Sequence, residues 1–204
     1  MPRSTLRRAL CAGVLCLTAS TAAGAVPAAA DAAVGVSAKR LNIKSGSRVT
    51  VKGQAAPGTV KLQVQRRNRW VTIDRDRTDA AGRYVLRKRI RGALSTRARV
   101  SASDGSTRRI GRLNVYRSAN ASWYGPGLFG NKLGCGGRLS PGSLGVAHKS
   151  LPCGTKVTFR HRGRVVRVRV IDRGPYVGGR EYDLTAATAR RLGFAGHGPV
   201  QATR

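Results

Sequence analysis

Apolar side chains fall on every second position through most of the first half of the chain: Val49 and Val51, Val60 with Leu62 and Val64, Val71 and Ile73, Tyr84 and Leu86, then Ala98, Val100 and Ala102. A period of two puts such residues on one face of a strand and polar partners on the other. The runs are interrupted at KSGS, APGT, RRNR, TDAAG and SDGS. These turn-forming clusters are spaced for about seven strands of an antiparallel sandwich, with Trp70 expected in its core. Asp74, Asp76, Asp79 and Asp104 are read as turn residues, where Asp is common for hydrogen-bonding reasons.

In the second half the strand candidates are ASWYG, LGVAHK, KVTFRHR, RVVRVRVID and the closing GPVQAT. Within RVVRVRVID, Val166, Val168 and Val170 share a face, and the same period places Asp172 there too, at the rim of an apolar interior. Between Asp183 and the end lies one short helix, TAATARRLG, with Thr185 or Asp183 as N-cap and Gly193 as the stop. The domain plan is therefore a secretory signal peptide over 1–32, a sandwich over 33–116, a linker over 117–120 and a β-rich domain over 121–204. The sandwich resembles the immunoglobulin-like modules of secreted bacterial proteins. It offers no nucleophile or phosphate loop and reads as a spacer or wall-binding module.

Targeting changes how the cysteines are read. The basic start MPRSTLRRAL, the apolar ALCAGVLCLTA and the small residues of AAADAA predict cleavage near Ala32 and leave no transmembrane segment. The mature protein is then secreted, extracellular or wall-associated. Of 4 cysteines only Cys135 and Cys153 would remain, and an oxidising compartment predicts a disulfide between them. Charge sets the partner class more loosely. With 39 Lys and Arg against 8 Asp and Glu, the net charge is +31. Such a cation concentrates on polyanions; outside a cell these are anionic wall polymers before any nucleic acid, and no specific nucleic acid is expected.

Against that background the last three acids, Asp172, Glu181 and Asp183, fall within twelve positions. Asp172 ends a strand and Asp183 enters the helix, so the ends of two neighbouring elements could bring two carboxylates to one cleft, as glycoside chemistry requires. Each also has a plain structural reading: Asp172 as a turn former before RGP, Asp183 as a helix cap, Glu181 as a surface residue. His161 and His197 lie in turns without partners, and neither a metal site nor a cofactor is proposed.

The motifs ASWYG, VAHKSLPCGTKV, VRVIDRGPYVGGREYDLT and ATARRLG follow one another, in order and spacing, as in the six-stranded double-psi β-barrel of the rare lipoprotein A family, the septal lytic transglycosylases of bacteria. Residues 121–204 resemble that domain, which is similar to the first domain of expansins. The resemblance implies an all-β fold with one short helix and peptidoglycan glycan strands as partner. It matches Asp172, Asp183 and His148 to catalytic positions, lines the groove with Ser122 and Tyr124, and leaves Arg173 and Arg180 beside it for substrate. His148 has a plain alternative as a satisfied barrel histidine. The family's TANGE stretch is LGCGG here, so one acid of the relatives is missing, and the disulfide would pin this altered loop to the barrel. Three functions follow: a lytic transglycosylase-like enzyme giving 1,6-anhydro products, an expansin-like protein that binds or loosens wall polysaccharide without cleaving it, or a polyanion binder.

Overall fold

The computed structural model describes residues 33–204; the signal peptide expected at 1–32 lies outside the described residues. The alternating runs of the first half form two sheets around one core. One sheet joins β1 (Ala38–Arg40), β3 (Arg48–Gln54) and β6 (Arg83–Arg89). The other joins β5 (Arg69–Arg77), β4 (Thr59–Arg66), β7 (Leu94–Ala102) and β8 (Thr107–Tyr124), with β2 (Asn42–Lys44) alongside β8. Val49, Val51 and Leu86 from the first sheet meet Val60, Leu62, Val100 and Leu113 from the second, all fully buried.

Two acids expected at turns do something else. Asp74 and Asp76 lie within β5, and their carboxylates accept the backbone N–H of Arg87 and Val85 in β6, each at 2.6 Å. Side chains thus join the sheets where backbone pairing does not. Asp79 and Asp104 do sit at turns, each accepting the N–H two residues on. Trp70 is only partly buried; it carries the guanidinium of Arg99 over its ring at 4.5 Å from the centroid, a cation–π contact.

Residues 117–120 are not a linker. They continue β8, whose 18 residues run from the sandwich into the second domain, because Arg117 to Ala121 find backbone partners on β13 (Gly198–Ala202). From there the ring is β8, β12 (Tyr182–Thr185), β9 (Gly145–Ala147), β11 (Arg164–Asp172), β10 (Lys156–His161), β13 and back to β8. Six strands close on themselves, which leaves no free edge. Inside are Ala121, Val146, Val157, Phe159, Val170, Tyr182 and Leu184, with Phe159 edge-on to Tyr182 at 5.0 Å. The helix α1 (Ala186–Leu192) starts on Thr185, whose hydroxyl accepts the Thr188 N–H, and stops at Gly193 in the left-handed region at φ 63°. That conformation suits glycine, as the sequence predicts.

Candidate functional site: a row of acids across the barrel

β12 is the strand that sequence reading missed, because its four residues run straight into the helix. It carries Asp183. Across the ring, Ser122 of β8 is in register with Asp183, Asp183 with Ala147 of β9, and Ala147 with Asp172 of β11. Residues opposite one another on adjacent strands share a face, so Ser122, Asp183, Ala147 and Asp172 form one transverse row. Two strand spacings separate the acids, about 10 Å at Cα.

Asp172 reaches this row by a departure from strand regularity. Val170 pairs with Val146, and the next partner of β9, Ala147, pairs with Asp172 rather than Ile171. Ile171 is the extra residue of a β-bulge. Without the bulge, Asp172 would share the inward face of Val168 and Val170, as the period of two predicts; with it, Asp172 turns to the face of Asp183. Gly145 makes room, since a Cβ there would run into the side chain of Ile171.

The carboxylate of Asp172 is then fixed from one side: Oδ1 accepts the N–H of Gly134 at 2.7 Å and of Arg173 at 2.8 Å. Gly134 adjoins Cys135, whose own N–H reaches Ile171 O and whose sulfur is bonded to Cys153. The expected disulfide therefore tethers the altered loop at the position that holds the acid.

Asp183 has different surroundings. Its Oδ1 accepts the Ser122 hydroxyl at 2.8 Å, and Arg180 lies just beyond, 3.4 Å from Ser122 Oγ. Burial raises its carboxyl above the ordinary range; the Ser122 hydrogen bond and the Arg180 charge oppose this, and Asp172 adds to it. Desolvation, rather than a proton shared between two acids, is the main cause. Tyr124, two residues along β8 from Ser122, has a buried hydroxyl with no hydrogen-bond partner among the described residues. Burial first, then the negative charges of Asp172 and Asp183, push its ionisation well above the ordinary range, so it keeps its proton and remains a donor. Both acids are half-buried and neither is sealed.

Two expected site residues stand elsewhere. His148 follows Ala147 and so faces the other way, packing on Tyr182 at 5.0 Å between ring centroids. Its Nδ1 accepts the N–H groups of Ser150 and Leu151, and Nε2 is 3.9 Å from Glu181. Burial lowers its pKa, so the ring is neutral with its proton on Nε2. The imidazole approaches Glu181 and makes no hydrogen bond to the carboxylate of Asp172 or Asp183. Arg173 is committed to the loop that follows β9: its Nη1 donates to the carbonyls of His148 and Leu151, and Nη2 contacts Cys153 Sγ. It positions that loop rather than facing the row. Glu181, read as a surface residue, is a partly buried partner of Arg117; its rarity as an acid in an arginine-rich half was the available signal.

Sequence comparison agrees with this architecture. A family profile described as "Lytic transglycolase" matches residues 116–203. The chain is 48% identical over 103 residues to a probable endolytic peptidoglycan transglycosylase RlpA of Synechocystis sp., covering 50% of this chain and 31% of that one. It is 42% identical over 84 residues to the endolytic peptidoglycan transglycosylase RlpA of Neisseria meningitidis, covering 40% and 35%. The match thus spans about a third of each relative. Among solved structures, the Streptomyces papain inhibitor is 22% identical, with a TM-score of 0.34, over 44% of this chain and 94% of that one. Residues 116–203 form a double-psi β-barrel of the RlpA type.

Proposed function

We propose that the barrel acts on the glycan strands of peptidoglycan as a lytic transglycosylase, in a secreted protein held at the cell wall. The observation that carries this reading is the contrast between two acids of one row: Asp183 is half-buried and raised in pKa by that burial, whereas Asp172 accepts two backbone N–H groups. In its protonated form Asp183 is the general acid. It gives that proton to the glycosidic oxygen between N-acetylmuramic acid and N-acetylglucosamine, and the bond to the anomeric carbon breaks. Asp172 supplies negative charge facing the positive charge that develops on the sugar ring. Asp183, now a carboxylate, takes the proton of the muramic acid C6 hydroxyl as its oxygen bonds to the anomeric carbon. The product is a 1,6-anhydro sugar, no water is consumed, and the acid is regenerated. In this reading Tyr124 and Ser122 hydrogen-bond sugar hydroxyls, and Arg180 meets a lactyl or peptide carboxylate. The RlpA names of the relatives, which describe endolytic peptidoglycan transglycosylases, support this chemistry.

A second reading, sugar binding without cleavage, draws on the orientation of His148, which leaves the row with two acids and no imidazole. One experiment separates the two. Purified sacculi are incubated with the wild type, Asp183→Asn and Asp172→Asn, and released muropeptides are analysed by mass spectrometry. Anhydro-ended products from the wild type, lost in Asp183→Asn and reduced at least a hundredfold in Asp172→Asn, are expected. Sacculus binding with no anhydro product from the wild type would establish the binding reading instead.

A further inference from the structure

The junction between sandwich and barrel gathers arginines that no Asp or Glu side chain among the described residues neutralises. On the sandwich sheet, Arg97 of β7 stands directly opposite Arg112 of β8. On the barrel sheet, Lys156 of β10 stands directly opposite Arg169 of β11, and the next pair along the same face is Thr158 with Arg167. Like charges facing one another across an antiparallel pair destabilise it. Here two such pairs occur, and Ser95 links Arg112 of the first to Arg167, which neighbours the second on the same face. Arg167 Nη1 donates to Ser95 Oγ at 2.9 Å, Arg112 Nη1 approaches Ser95 O at 3.5 Å, and Thr158 Oγ1 is 3.4 Å from Ser95 Oγ. Guanidinium groups from two domains thus converge on one serine. Arg97, Arg167 and Arg169 are exposed and Arg112 is half-buried.

Among the described residues, every Asp and Glu side chain is engaged elsewhere: Asp74 and Asp76 are bound to β6, Asp79 to Arg83, Asp104 to the Ser106 N–H, Asp172 to the Gly134 N–H, Glu181 to Arg117 and Asp183 to Ser122. Arginine is also the side chain whose planar fork fits phosphate oxygens in pairs. We propose that Arg97, Arg112, Arg167 and Arg169 form a binding site for a phosphodiester-linked polyanion, separate from the acidic row. Burial and the neighbouring arginines, Arg112 foremost, lower the pKa of Arg167, the mark of cations held together without a counter-ion. The proposal does not depend on whether the barrel cleaves glycan.

The test measures binding of the full chain, by fluorescence anisotropy at near-physiological salt, to three polymers: purified poly(glycerol phosphate), a single-stranded oligodeoxynucleotide and polyglutamate. The variant Arg112→Gln/Arg167→Gln is compared with Arg89→Gln/Arg91→Gln, which removes the same charge from exposed positions of the first domain. The junction variant is expected to bind phosphodiester at least tenfold more weakly, with the log–log salt slope reduced by about 0.7 for each arginine removed. The control should change less than threefold. Loss for poly(glycerol phosphate) alone identifies a wall polymer as the ligand, and equal loss for both phosphodiesters identifies the backbone chemistry common to them. Arg97→Gln, at an exposed strand position, is expected to weaken binding severalfold without lowering the melting temperature, which separates loss of the site from loss of the fold. An equal loss in the control pair, or polyglutamate bound as tightly as phosphodiester, would overturn the proposal.

Discussion

Asp183 shows most plainly what burying a single carboxyl does to stability. Its folded-state pKa is raised, chiefly by burial, so the folded protein binds this proton more tightly than the unfolded chain does. That contribution favours folding fully below the ordinary aspartate value, about 3.9, and is lost as pH rises through the raised one. At neutral pH the buried charge therefore opposes folding. Asp183→Asn keeps an acceptor for the Ser122 hydroxyl and removes the charge, so it is expected to melt above the wild type at pH 7, with the gap closing as pH falls to about 3.9. Thermal melts at the two pH values check this; a variant less stable than the wild type at pH 7 would show the acid to be structural. The identity of both acids was legible in the sequence, because acids are scarce in this chain. The direction of His148 was not: it follows Ala147 on β9, and facing depends on the parity of a strand whose register is set by distant partners.

At the scale of elements, alternation of Val, Leu and Ile made most strands visible, and Thr185 and Gly193 marked the helix ends. Two features escaped because each breaks the rule used to read them. β12 is too short to show a period, and the bulge at Ile171 is an irregularity in the period itself. Yet these two place the acids on one row. The bulge depends on an absent side chain, since Gly145 packs against Ile171. Gly145→Ala is expected to cost about 1–3 kcal/mol through overpacking, measured by denaturant unfolding. It should also lower glycan cleavage by more than tenfold, because Asp172 is displaced from the row. Wild-type activity in this variant would mean that the bulge does not set the position of the acid.

Over the whole molecule, the continuous β8 is the feature that domain reading by composition could not supply. Ser118, Ala119 and Asn120 look like a linker in isolation, and they become strand only because β13 returns to pair with them. One strand that belongs to both cores couples the two, and the expected outcome is a single calorimetric transition rather than two; separate transitions would show the modules to be independent. The same strand carries Ser122 and Tyr124 into the barrel, where barrel closure and the bulge together set Asp172 and Asp183 in one field. A carbon-13 NMR titration of the Asp183 carboxyl, in the wild type and in Asp172→Asn, tests this most directly. A wild-type midpoint above that of an ordinary aspartate is expected, and a lower midpoint once the charge at position 172 is gone. A midpoint at or below the ordinary value, or one indifferent to the Asp172 substitution, would contradict it.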